Sequence, residues 1–116
     1  MSGTILTSIE HAVGTLTIHN PDRHNSMSLK MWQDAATELE RFAADDNVRV
    51  VVLTGAGGKS FASGADISEF EKVRANAKGA EAYDAALDRF WAVLSDHPKP
   101  TIALIRGYCI GGGVNI

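Results

Sequence analysis

Apolar positions Leu29, Trp32, Ala36, Leu39 and Phe42 recur at steps of three and four, with Lys30, Asp34, Glu38 and Arg41 between them. That spacing predicts an amphipathic helix over Leu29 to Ala43, capped by Ser28. Upstream, Ile5, Val13, Leu16 and Ile18 fall mostly on alternate positions, with Gly14 punctuating, which predicts two short strands within Thr4 to Ile18 joined by a turn near His11. His19 to Ser26 is polar, contains the first proline and is dense in residues that bond their own backbone, so it reads as a loop. Past a turn at Asp45–Asn47, Val48 to Leu53 is too uniformly apolar for a wet face and predicts a strand buried on both sides. Thr54 to Asp66 reads as a long glycine-rich connection, and Asp66-Ile67-Ser68-Glu69 has the form of a capping box, with a helix starting at Ile67. Tyr83, Leu87, Phe90 and Leu94 mark the stripe of another helix over Gly79 to Ser95, ended by the prolines of His97-Pro98-Lys99-Pro100. Thr101 to Ile105 then predicts a second buried strand, running into Gly111-Gly112-Gly113.

Strands alternating with helices predict an α/β unit whose later strands are parallel and covered on both faces. The 116 residues suit one domain, and 45% hydrophobic with 22% charged residues is the balance of a chain that folds. A net charge of −3 without a basic run argues against a nucleic-acid partner. A single cysteine, Cys109, makes neither an internal disulfide nor a zinc site, and His11, His19, His24 and His97 show no ligand spacing, so no metal is expected and a reducing, cytoplasmic setting fits best. Neither a signal peptide nor a membrane span is expected. A buried strand entering three glycines normally feeds a helix, for which three residues remain, so residues 1–116 are expected to be a truncated part of a single domain.

For chemistry, Gly57-Gly58-Lys59-Ser60 after a strand suggests a phosphate loop, but the required earlier glycine falls on Leu53. The dinucleotide fingerprint fits Gly55 and Gly57 and then meets Ser60. More specific is a pair of small-residue segments, Ser63-Gly64-Ala65-Asp66 and Gly111-Gly112-Gly113, each beside a predicted buried strand and each entering a helix. Such segments leave backbone N–H groups unpaired, and two converging N–H groups make an oxyanion hole. Tight turns and close-packing glycines account for the same residues without chemistry.

Asn20-Pro21 leading to Asn25-Ser26-Met27, then Val51-Val52-Leu53-Thr54-Gly55, Phe61 to Ile67, and Lys99 to Ala103 through Gly107 to Gly113 resemble, in order and spacing, the N-terminal part of the enoyl-CoA hydratase/isomerase (crotonase) superfamily. The resemblance implies a crotonase-like α/β fold, a spiral of ββα turns of which this chain is the N-terminal part. It also implies an acyl-CoA thioester substrate, coenzyme A being part of the substrate and no separate cofactor, and a homo-oligomer, a trimer or dimer of trimers. Carried over by position, the N–H groups of Ala65 and Gly112 form the oxyanion hole that stabilises a thioester enolate. Ala62, Ser63, Ala65, Asp66 and Ile67 match the CoA-binding segment, and Arg23 and Lys59 match basic positions near the CoA phosphates.

One position departs from the pattern. Where familiar hydratases carry a glutamate three residues beyond the oxyanion glycine, this chain has Asn115, which is no base. The resemblance therefore implies the substrate class and leaves hydration or isomerisation beside decarboxylation, thioester hydrolysis and ring-forming or ring-opening reactions. A non-catalytic CoA-binding module and a nucleotide-binding protein are the readings from other classes. Asp66 and Glu69 are explained by the capping box, and Cys109 by packing.

Overall fold

The computed structural model describes residues 3–20, 25–57, 60–62, 77–105 and 108–109. The alternating segment forms an antiparallel hairpin of β1 (Thr4–Glu10) and β2 (Val13–His19), with Ile5 opposite Ile18 and Ile9 opposite Gly14. Its turn is His11–Ala12, both at positive φ, 50° and 68°. Two successive positive-φ residues give the twist that a two-residue hairpin turn requires. Gly14 does not punctuate the strand but lies inside β2. A Cβ there would sit 3.1 Å from the Phe42 ring and from Val48, so the missing side chain is what lets the helix close on the sheet.

That helix is α1 (Leu29–Ala44), and its Ser28 cap accepts from the Met31 N–H at 3.2 Å, as the spacing predicts. Met31, Trp32, Ala35, Ala36, Leu39 and Phe42 are buried, against Leu16 and Ile18 of β2 and Val51 and Leu53 of β3 (Val50–Gly55). β3 runs parallel to β2, and β5 (Thr101–Leu104) parallel to β3, giving the order β1-β2-β3-β5.

Two expectations of burial on both faces are corrected. In β3 only Val51 and Leu53 are buried while Val50 and Val52 are half-buried, because α1 covers one face of the sheet; Val48 is buried ahead of the strand. β5 is exposed along its length, with Ile102 53% accessible, because it is an edge strand that neither described helix covers. The supposed connection also contains a strand. β4 (Ser60–Ala62) pairs in parallel with β6 (Tyr108–Cys109) in a second sheet, with Phe61 and Ala62 fully buried.

The second helix, α2 (Ala77–Ser95), starts at Ala77 rather than Gly79 and packs on α1. Tyr83 and Phe90 are buried, Leu87 and Leu94 half-buried. Phe90 meets Trp32 edge-on at 5.0 Å and Trp91 at 5.2 Å, and the Trp32 indole N–H donates to the Tyr83 hydroxyl at 3.2 Å. Outside, Arg89 bridges back to Glu40 and to the Thr37 hydroxyl of α1.

After α2 the chain doubles back to hold the far end of α1. Lys99 donates from Nζ to the carbonyls of Phe42 at 2.5 Å and Asp45 at 2.6 Å. His97 Nδ1 accepts from the Lys99 N–H, so Nε2 carries the hydrogen and donates to the Leu39 carbonyl at 3.0 Å. The last carbonyls of a helix have no partner within it, and a cation there also suits the helix dipole.

The predicted helix from Ile67, its capping box and the Gly111–Gly113 segment lie outside the described residues.

Candidate functional site

Parallel strands bring their carboxyl ends to one rim, which is where open α/β sheets place ligands. Here β2 ends at His19 and β3 at Gly55, with Ile18 opposite Gly55 in the register. The Ala56 N–H continues the ladder by donating to the Ile18 carbonyl at 2.8 Å. Gly57 follows at φ +84°, a conformation open to glycine at little cost.

The loop leaving β2 is drawn onto this rim by two asparagines. The Asn20 N–H donates to Asn25 Oδ1 at 2.8 Å, and the Asn25 N–H returns to the Asn20 carbonyl at 2.8 Å, which closes the loop across its base. Asn20 Nδ2 donates to the Ser26 carbonyl at 3.0 Å. Asn25 Nδ2 crosses to β3's exit and donates to the Ala56 carbonyl at 3.0 Å. Asn25 itself sits at φ +58°, which asparagine tolerates better than most side chains. Asn20 and Asn25 are 3% and 1% accessible, so these amides are bonded where water is excluded. Ser28, two residues beyond Ser26, starts α1 at the same rim.

Beside this rim the small second sheet contributes one geometric fact. Its strands are parallel and Ala62 is the register partner of Cys109, so the chain leaves two neighbouring strands in one direction.

Of the predicted site residues, Ala62 is described, as the buried end of β4. Arg23, Lys59, Ser63, Ala65, Asp66, Ile67 and Gly112, with Asn115, lie outside the described residues. The sequence reading foresaw a loop whose side chains bond its own backbone but not the bond from Asn25 to Ala56. The positive charge of Lys99 and the ring of His97 serve α1, at the opposite end of the sheet. A concavity of about 270 Å³ also lies at that end, between Thr7 and Ser8 of β1 and Glu38, Arg41, Phe42 and Asp45. Among the described residues no three His, Cys, Asp or Glu stand close enough to hold a metal, and no helix is long and apolar enough to cross a membrane.

Residues 8–116 match the family model described as Enoyl-CoA hydratase/isomerase. Carboxymethylproline synthase of Pectobacterium carotovorum is 37% identical over 87% of this chain and 40% of its own length. A Mycobacterium tuberculosis protein named "Probable enoyl-CoA hydratase" is 35% identical over 97% of this chain and 43% of its own. Among solved structures, an enoyl-CoA hydratase/carnithine racemase from Magnetospirillum magneticum superposes with a TM-score of 0.89 at 43% identity, over 98% of this chain and 43% of that one. The chain thus spans about two fifths of the length of these relatives.

Proposed function

Because the chain belongs to the enoyl-CoA hydratase/isomerase family and has its α/β fold, we propose that it forms the thioester-polarising part of an acyl-CoA enzyme. The substrate is an acyl-CoA thioester, and the backbone N–H groups of Ala65 and Gly112 form the oxyanion hole. The observation that carries this reading is the register of the second sheet. Ala62 and Cys109 are partners on parallel strands. Ala65 and Gly112 each follow three residues later, after Ser63-Gly64 and Ile110-Gly111. Two donors issuing side by side suit a carbonyl oxygen that gains charge as the α-carbon is deprotonated or attacked. Fixed neutral dipoles stabilise that charge without reorganising when it develops, and losing one donor typically costs about 10²–10³ in rate. Arg23 and Lys59 lie on the CoA phosphates, and the main chain from Ala62 to Ile67 holds the CoA. The active form is a trimer or dimer of trimers in the cytoplasm.

The test uses the full-length protein. Wild type is expected to bind coenzyme A in calorimetry and to turn over a short 2-enoyl-CoA or another acyl-CoA. In Gly112→Pro, which deletes one donor, kcat should fall by about 10²–10³ with little change in CoA affinity. Undiminished turnover in that variant would falsify the oxyanion assignment.

Asn115 favours a second reading of the reaction. An amide in the hydratase glutamate's place cannot take a proton from water. Decarboxylation, thioester hydrolysis or a ring-forming or ring-opening step on the same enolate then stands beside hydration and isomerisation. The identity to a protein named as a synthase supports keeping these reactions in the product analysis.

A further inference from the structure

We infer that Asn25 is a positioning residue of the CoA site, joining the two chain segments that leave β2 and β3 into one rigid rim; this rests on the CoA reading proposed above. Asn25 bonds two separate parts of the backbone. Its N–H and Oδ1 both bond Asn20, at 2.8 Å each. Its Nδ2 reaches thirty-one positions along the sequence to the Ala56 carbonyl, at 3.0 Å. Asparagine carries both an acceptor and a donor on a short amide and is among the few side chains that accept φ +58° readily.

The direction of its bonds gives the role. Within the loop between β2 and α1 the two bonds to Asn20 close the base, as Asx-type bonds do in ordinary surface loops. The bond from Nδ2 leaves the loop for the Ala56 carbonyl. It fixes the loop against the Ala56–Gly57 turn, at the carboxyl ends of two parallel strands. By chain position, Arg23 lies within the stretch that Asn25 closes, and Lys59 follows two residues after Gly57. These are the two cations assigned above to the CoA phosphates. A rigid link between their supports lets both meet one ligand without ordering each separately, and prepaid ordering of this kind shows as affinity.

Two variants of the full-length protein separate this role from general stability. Asn25→Asp keeps the acceptor for the Asn20 N–H but turns a second oxygen toward the Ala56 carbonyl, so the cross-link becomes a repulsion. Asn25→Gly keeps the positive φ and removes the side-chain bonds to Asn20 and Ala56, and serves if the aspartate does not fold. In either, the dissociation constant for coenzyme A should rise by about tenfold or more. KM for an acyl-CoA should rise with it, while kcat changes less than about twofold. KM for the matching acyl-pantetheine, which has no nucleotide phosphates, should stay at the wild-type value. Equal weakening toward both thioesters, or an unchanged CoA constant in a folded variant, overturns the positioning role. Failure of the wild type to bind CoA overturns both this role and the reading beneath it, so the two failures are told apart by the wild-type titration.

Discussion

The two ends of α1 are secured by opposite kinds of chemistry. At its start, beside the carboxyl ends of the parallel strands, short uncharged side chains are buried and bond at close range: Asn20, Asn25, Ser26 and Ser28 are all below 8% accessible. At its finish, long side chains come from residues 54 to 58 positions away, and Lys99 and His97 reach over to the carbonyls of Leu39, Phe42 and Asp45 from half-buried ground. The contrast lies in what replaces a lost bond. The carbonyls at the finish lie in part-buried bonds, as does that of Ala56, whereas the bonds between Asn20, Asn25 and Ser26 are buried, and a group left unpaired there bears its desolvation cost. Rigidity is therefore concentrated at the rim proposed to meet the ligand, and tolerance at the other.

Substitutions can break that comparison. Asn25→Ala strands the Asn20 N–H and the Ala56 carbonyl together and places alanine at positive φ, so unfolding free energy should fall by roughly 3 kcal/mol in urea titrations of the full-length protein. Lys99→Met keeps the stem but removes the cation from the Phe42 and Asp45 carbonyls, and water takes part of its place; about 1 kcal/mol is expected by the same titration. If the lysine variant proves the costlier, the contrast drawn between the two ends is wrong. The smallest effect belongs to Lys30→Met, whose partner Asp34 is 2.8 Å away on the exposed side of α1. Less than about 0.5 kcal/mol is expected, since water already screens that pair.

Much of the fold was legible in the amino acids because its periods are local. The hairpin, the Ser28 cap and both helical stripes follow from spacings of two, three and four residues that no distant contact overrides. What escaped was non-local or too short. β4 and β6 have three and two residues, below any period. Gly14 looks like punctuation until Phe42 is seen lying over it. Whether Val52 or Ile102 is covered depends on where α1 lies, and an apolar run alone cannot say which face a helix takes. At the candidate site the polar loop was legible as a loop, since asparagine and serine bond nearby backbone. The bond from Asn25 to Ala56 was not, because its partner is a carbonyl, which every residue has. Of the residues that the resemblance named, Ala62 falls within the described part, at the end of a buried strand.

The aromatic contact between the helices has a consequence for observing this molecule. The chain has two tryptophans, Trp32 and Trp91, and both lie against Phe90 where α1 meets α2. Intrinsic ultraviolet emission is thus a gauge of whether the two helices are docked. Neither indole lies at the asparagine rim, so the emission of Trp32 and Trp91 would stay nearly still as a ligand settles there while heat is released in a calorimeter.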